Sequence, residues 1–320
     1  MKSQRLKVKD QKFKSKLIPI CRDYFLIVFL TFDFLFLTLG KVDAAELSLG
    51  ISPPIIEIQT EPPAVINTPI TIENHADETV TLEILLKPFT PGKGEFGEVA
   101  YLWDKNPPLI FQNIKVRENG KATDEIILAP RQKKNLSLHF DIPKGEPSSD
   151  YYFSVVFISK NIVNAGLSHS QIRGAIATNV LLSVGTGKSI GKIAEFSAPL
   201  FLEKQPVPFT IRLKNEGKHF ITPQGTILIT NIFGKTIGEL NLLPVNILAD
   251  TTRFQKTVWT EPFLFGPYTA TLTIIFSDKG PILVETIRFL VLPMQAFIGL
   301  AIIVFIILGV KKRLKTHREH

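Results

Sequence analysis

The chain has 320 residues, a formal net charge of +8 and a single cysteine, Cys21. The charge is concentrated at the ends: residues 1–23 carry eight basic and two acidic side chains, residues 311–320 carry five and one, and the span 44–310 sums to −1. Nucleic-acid binding needs basic residues clustered on a folded surface, so no nucleic acid is expected as a partner. Basic segments beside apolar runs set membrane orientation instead.

The N-terminal apolar run, residues 24–39, is short and follows the first basic segment. Small residues around Ala44 stand at the spacing of a cleavage site, so residues 1–45 are predicted to be a signal peptide. An uncleaved signal anchor is the alternative, because the basic region is unusually long. Both interpretations place the body outside the cell. No cysteine follows Cys21, so the body must be stable through core burial, without disulfides.

Short runs with a period of two fill residues 46–187. Apolar and polar residues alternate in 70–73, 79–87 and 136–141, as in half-buried strands. Residues 151–158 are apolar on nearly both faces, which is typical of a central strand. About eight strands with recurring turn signals predict an immunoglobulin-like β-sandwich.

A second set of about seven strands is predicted in residues 188–291, after three glycines between 185 and 191 interrupt the pattern. No segment of either set has sustained helical periodicity, and strands without intervening helices favour antiparallel sheets. The predicted fold class is therefore all-β, with two tandem immunoglobulin-like sandwiches.

The uncharged run that ends at Val310 predicts a transmembrane helix over 292–310, with Pro293 in its first turn. The basic residues 311–320 are predicted to be a cytoplasmic tail. The alternative is a helix buried in a protein core. The membrane interpretation predicts a single-pass cell-membrane protein with an extracellular body.

Two motifs at the boundary between the strand sets point weakly to catalysis. Residues 185–189 are similar to the end of a phosphate-binding loop, but Leu182 replaces the first glycine, and a turn and strand follow instead of a helix. The segment also matches Gly-x-Ser-x-Gly around Ser189, which needs an α/β sheet with a downstream acid and histidine. The body offers only His219 downstream. We therefore interpret the segment as a linker and predict no enzyme.

No cofactor or metal site is predicted either. None of the six histidines has a partner at zinc-ligand spacing, and each is interpreted as a solvated surface residue. The most suggestive segment is 90–108, which is rich in glycine and proline and carries Phe96, Tyr101 and Trp103. Aromatic residues on long loops of a rigid sandwich often form binding surfaces. The competing interpretation is that these rings pack on their own domain.

Strand-and-turn signatures recur through both predicted sandwiches. They comprise Ile51–Pro54, Ile70–Asn74, Asp150–Phe157 and Asn179–Gly185 in the first, and Lys214–Gly217, Pro223–Gly225, Phe233–Lys235 and Gly266–Ala270 in the second. With the signal peptide, C-terminal helix and basic tail, this order resembles the WxL-interacting proteins of Gram-positive surfaces, over essentially the whole chain. The resemblance implies peptidoglycan binding by the first domain and binding of host or partner proteins by the second. The first half is also similar to periplasmic pilus chaperones, but those are soluble, and the predicted anchor argues against membership.

The sequence thus predicts a non-catalytic, membrane-anchored surface protein that contacts cell-wall polymer, a secreted partner protein, or both. The alternative is a chaperone-like assembly factor that offers a sheet edge to a surface subunit. An envelope hydrolase would need convergent acids in one pocket, and no such set can be assembled from the sequence.

Overall fold

The computed structural model describes residues 48–103, 106–160, 163–165, 170–187, 189–277 and 280–316. Side chains are described over these ranges except for 163–172 and for parts of the C-terminal helix. Residues 47–162 and 171–320 form one compact unit. The predicted signal peptide lies outside the described residues.

The first sandwich consists of two sheets. Its strands are β1 (Leu49–Ser52), β2 (Ile55–Thr60), β3 (Ala64–Asn74), β4 (Val80–Pro91), β5 (Val99–Tyr101), β6 (Ile114–Glu118), β7 (Lys121–Ala122), β8 (Glu125–Leu128), β9 (Lys133–Ile142), β10 (Ser149–Ser159) and β13 (Ala175–Val184). One sheet has the order β1-β3-β9-β6-β7, and the other β2-β13-β10-β4-β5, with β8 also pairing with β4. The chain changes sheets at Pro53 and Pro54, between β1 and β2. A 3-10 helix spans Leu109–Asn113, and β11 (Val163–Ala165) and β12 (Ser170–Ile172) precede β13.

The second sandwich pairs a three-stranded with a five-stranded sheet. Its strands are β14 (Gly191–Ser197), β15 (Phe201–Leu202), β16 (Val207–Asn215), β17 (Gln224–Asn231), β18 (Thr236–Asn241), β19 (Thr252–Trp259), β20 (Gly266–Ile275) and β21 (Ile282–Val291). The sheet orders are β14-β16-β19 and β15-β21-β20-β17-β18. The predicted all-β, immunoglobulin-like class is confirmed.

Each sandwich has its own apolar core between its sheets. Phe140, Phe153 and Phe157 lie at the centre of the first core, and Phe209 and Phe289 at the centre of the second. Alternation along each strand points every second side chain inward, so the period-two runs of the sequence become the two inner faces.

A buried asparagine closes the same kind of turn in both sandwiches. Asn74, at the end of β3, donates its side-chain amide to the carbonyls of Glu78, Leu128 and Ala129. Asn215, at the end of β16, does the same to three carbonyls, those of His219, Ile247 and Leu248. Each carboxamide oxygen accepts from the backbone N–H two residues later. These side chains add hydrogen bonds to the carbonyls of the neighbouring turn, one of them buried and two part-buried in each sandwich.

The C-terminal helix α1 runs over Met294–Thr316. It begins two residues after the predicted start at 292 and continues through the basic residues 311–313, because Lys and Arg are good helix formers and no proline follows to end the helix. Among the described residues, none of the helices combines the length and the apolar character that crossing a membrane requires. The transmembrane part of the prediction is therefore not confirmed.

We predict that Asn74→Ala and Asn215→Ala each lower the free energy of unfolding by about 2–4 kcal/mol, because each removes one buried and two part-buried hydrogen bonds to carbonyls and leaves one backbone N–H without its acceptor. Urea denaturation of the full-length chain measures the loss. Asn241→Ala, on an exposed strand position, is the control and should change stability by no more than about 0.5 kcal/mol. Equal effects at all three positions would contradict the proposed role of the buried amides.

Candidate binding cleft between the two sandwiches

The second sandwich packs on part of the outer face of sheet β2-β13-β10-β4-β5. Phe89 and Leu181 on this face form a third buried apolar cluster with Phe220 of the second sandwich. Tyr152 stacks on Phe89 with 6.0 Å between ring centroids, and Leu248 packs at the edge of the cluster. This explains the apolar character of the start of β10 on both faces: Phe153 and Val155 meet the core, and Tyr152 meets the second domain.

Asp150, at the start of β10, is the polar centre of this interface. Its Oδ2 accepts from the backbone N–H of Phe220 at 2.5 Å and from the Tyr152 hydroxyl at 2.5 Å, and its Oδ1 lies 2.7 Å from His219 Nδ1. The Tyr152 hydroxyl in turn accepts from the N–H of Ala249 at 3.2 Å. Burial raises the pKa of Tyr152 well above its usual range, so its hydroxyl stays protonated and can donate to Asp150.

The interpretation of His219 as a solvated turn residue is wrong. Its side chain is only 11% exposed and forms an ion-pair contact with the 4% exposed Asp150. Ser183 Oγ lies 2.7 Å from His219 Nδ1 and Ser148 Oγ lies 3.3 Å from Nε2. The sequence gives no signal for this arrangement, because the partners of His219 belong to the other sandwich.

The order Asp150–His219–Ser148 is similar to that of a nucleophilic triad. A triad also needs preorganised donors aimed at a developing oxyanion, and an acid that serves mainly to orient the histidine. Here Asp150 also binds a backbone N–H and a tyrosine hydroxyl, and Ser183 shares the nitrogen that faces Asp150. We therefore interpret the cluster as a tie between the two domains.

The loop between β4 and β5 forms a clasp over the second sandwich. Glu95 Oε2 accepts from Arg212 Nε at 2.9 Å, and Glu95 O accepts from the N–H of Phe254 at 2.7 Å. The ring of Phe96 meets the ring of Phe254 edge to face, with centroids 5.0 Å apart. Arg212 also lies over the Phe254 ring and pairs with Glu195.

A cleft with a cavity of about 340 Å³ lies between the clasp and the buried interface. Its apolar wall is formed by aliphatic side chains from both sandwiches, namely Ile55, Val99, Leu181, Val245 and Leu248. Its polar wall includes Glu57, which accepts from Thr222 Oγ1 at 3.1 Å and from Asn246 Nδ2 at 2.9 Å. Strand β2, which carries Ile55 and Glu57, pairs with β13 on one side and with no other strand among the described residues.

Arg253 is the notable cation of this cleft. Its guanidinium packs against Gly97, where φ is +88° and where an added Cβ would lie 1.1 Å from Nη1. Burial lowers the pKa of Arg253, while the negative charge of Glu98 acts in the opposite direction. Among the described residues no hydrogen bond or salt bridge engages this guanidinium. The cleft therefore presents a half-buried positive charge with free donors.

The described residues contain no group of three or more His, Cys, Asp or Glu side chains placed to hold a metal ion. The titratable groups of the cleft wall are Glu57, Glu98 and Arg253.

The three aromatic residues predicted for binding do not form one surface. Phe96 belongs to the clasp, although 67% of it stays exposed. Tyr101 is half-buried, donates to or accepts from Ser154 Oγ at 3.0 Å, and meets Phe89 edge to face. Trp103 is 59% exposed, lies 5.5 Å from the Tyr101 ring and has Lys87 Nζ 5.0 Å above it. A role of these rings in ligand binding stays a prediction.

Comparisons with known proteins leave the family open. No family model matches the chain, and no curated protein matches it. Similar solved structures include the class 5 fimbriae chaperone CfaA, with 13% identity over 75% of this chain and 98% of that chain and a TM-score of 0.40. The YadV chaperone has 10% identity, 75% and 99% coverage and a TM-score of 0.35. The CsuC–CsuE chaperone–tip adhesion subunit complex of Acinetobacter baumannii has 12% identity over 76% of this chain and 98% of that chain, with a TM-score of 0.34. Likeness at this level carries no argument about function, and the resemblance to WxL-interacting proteins stays a prediction.

We predict that Asp150→Ala lowers the free energy of unfolding by about 3–5 kcal/mol, because it leaves a buried histidine, hydroxyl and N–H without their partner. Thermal unfolding and limited proteolysis of the full-length chain measure the loss.

Ser148→Ala is the matched control, since it removes only one long hydrogen bond to His219. It should shift stability by less than about 1 kcal/mol. A hydrolysis of small ester substrates that Ser148→Ala abolishes would instead show that the cluster is catalytic, and would contradict its assignment as a tie.

Proposed function

We propose that this protein is a non-catalytic, membrane-anchored binding protein that holds an extended segment of a partner polypeptide in the cleft between its two sandwiches. The observation that carries the proposal is the Arg253 guanidinium, which lies half-buried in the cleft wall without a hydrogen-bonding partner among the described residues. Glu98 acts on this cation electrostatically, but no described residue accepts its N–H groups, so the free donors favour a bound segment that supplies a carboxylate or carbonyl oxygen.

The other walls fit a polypeptide better than a small anion. Aliphatic side chains suit the apolar residues of a segment, and the oxygens of Glu57 and Asn179 can meet its backbone N–H groups. The free side of β2 adjoins these residues, so a segment in the cleft could extend the sheet as well. The proposal is thus a form of the alternative predicted from the sequence, an assembly factor with an open sheet edge.

A second open edge lies on the other sheet of the first sandwich. Strand β1 covers only Thr71–Asn74 of β3, while β9 covers Ala64–Glu73 on the other side. Residues 64–70 of β3 therefore pair with β9 on one side and with no described strand on the other. Pro69 interrupts this edge because it has no N–H to donate, which makes it a poorer template for a partner strand than the edge of β2.

The membrane anchoring in this proposal rests on the sequence of α1. Residues 294–310 carry no charge, and the described apolar side chains in 302–308 are all exposed in the isolated chain. A run of exposed apolar side chains on every side of a helix needs an apolar environment. The basic residues 311–313 then favour a cytoplasmic C-terminus and an extracellular body.

The experiment places a photo-crosslinking residue at Val245, in the cleft wall, and at Val284, which is exposed on the outer face of β21. Cells that make the full-length chain are irradiated, and adducts are identified by mass spectrometry. We expect one discrete polypeptide adduct at Val245 and none at Val284. In the Val245 background, Arg253→Ala should reduce the adduct at least about tenfold, as expected for the loss of a charged hydrogen bond.

Arg288→Ala, an exposed arginine outside the cleft, is the matched control and should leave the adduct unchanged. A second arm measures retention of the detergent-solubilised full-length chain on isolated cell wall. Retention that does not depend on Arg253, together with no adduct at Val245, would overturn the cleft proposal in favour of binding to cell-wall polymer.

A further inference from the structure

One end of the second sandwich carries a group of exposed large apolar side chains. They comprise Leu200, Phe201, Ile232, Phe233, Phe263 and Phe265, and their exposed fractions range from 45% to 86%. They come from three segments: the one before and within β15, the β17–β18 turn and the β19–β20 loop. We refer to these six residues as the apolar rim. Isolated exposed apolar residues are ordinary, but a group at one end of a domain marks an interaction surface.

The apolar rim lies at the end from which α1 leaves the domain. Phe201 is paired with Leu290, and the Leu290 N–H donates to Leu200 O at 2.9 Å. Gly266, which follows the β19–β20 loop, is paired with Val291 at the end of β21. The β17–β18 turn and the β19–β20 loop together line one shallow surface cavity that reaches from Asn231 to Tyr268.

Hydrogen bonds to Asn231 fix the backbone of the β17–β18 turn. Asn231 Oδ1 accepts from the N–H groups of Phe233 and Lys235, at 3.0 and 3.1 Å, and Gly234 supplies the positive φ that the turn needs. Phe233, at the tip, is 86% exposed. In the other loop, Leu264 is buried and fixes the position of Phe263, which is 78% exposed. The rim is therefore preorganised, and little conformational entropy is lost when it is covered.

From this geometry we infer that the apolar rim inserts into the interfacial layer of the same lipid bilayer that receives α1. The inference rests on the membrane anchoring of the proposed function. Only Leu292 and Pro293 separate β21 from α1, so three residue steps place the end of β21, where Phe201 is paired with Leu290, within about 11 Å of the start of the helix. The interfacial layer on each side of a bilayer is about 5–7 Å thick, and the Phe and Leu side chains of surface-bound segments bury at its boundary with the acyl chains.

The charges at this end favour apolar contact over attraction to anionic lipid. The exposed charged residues of the three segments are Glu203, Lys204 and Lys235, and Glu261 adjoins them half-buried. Two acids balance two bases, so no basic patch faces the lipid. We therefore expect the rim to contact zwitterionic and anionic bilayers equally well.

The test uses the full-length chain in vesicles of phosphatidylcholine, with and without phosphatidylglycerol. In a Cys21→Ser background, an environment-sensitive fluorophore is attached to Phe233→Cys, to Phe263→Cys, to Ile303→Cys in α1 or to Ile282→Cys. Ile282 is 61% exposed at the other end of β21, about 30 Å from the rim by the rise per strand residue. Lipids with a nitroxide near the head group quench any fluorophore that lies in the interfacial layer.

We expect strong quenching and a blue shift at positions 233 and 263, equal in both lipid mixtures, and no quenching at 282. Quenching by nitroxides placed deeper in the acyl chain reports on position 303. If 303 is quenched but 233 and 263 are not, the rim inference is wrong and the anchor stands. If 303 is not quenched either, both the anchor and the rim inference are overturned, while the cleft proposal is unaffected.

Discussion

The arrangement of the two sandwiches depends on the buried carboxylate of Asp150. Asp150 is the second residue of β10, the central strand of its sheet. Its side chain lies where the outer face of that sheet meets the turn at His219 and Phe220 of the second sandwich. A carboxylate in this place is stable only because three donors converge on it, and two of them, His219 and the N–H of Phe220, come from the other sandwich. The requirement to satisfy this one charge fixes where the second sandwich can sit on the first.

The cleft follows from that placement. Once the interface holds the domains together on one side, the clasp formed by the β4–β5 loop holds them on the other, and a space remains between the two contacts. Arg253 lines this space because Gly97 lets the guanidinium lie against its backbone. Glu98 offsets this cation in part, but no described residue hydrogen-bonds its guanidinium, which is why we propose for Arg253 a role in ligand binding and not in stability.

Much of the fold could be predicted from local pattern. The period-two runs identify the strands because one face of each antiparallel strand is buried and the other is not, and the glycines near 185–191 separate the two sets. The prediction was weakest where a residue's environment comes from the other domain. His219 is polar and lies in a turn beside an asparagine, which is typical of a solvated residue, and only the opposite sandwich buries it. Phe96 is a candidate binding aromatic by sequence, and the contact of its ring with Phe254 in the clasp is likewise visible only in the packing of the two domains.

The sequence by itself determined the class of the chain: an all-β body of near-neutral charge between two basic, apolar ends. Composition and periodicity are properties of consecutive residues, so they are sufficient for strands, turns and the helix that begins near Pro293. Only the tertiary structure decided which residues act together, because Asp150 and His219, or Gly97 and Arg253, are far apart in sequence and meet through the packing of two domains. The same holds for the apolar rim, whose three segments converge at the start of α1 only because of the strand order of one sheet.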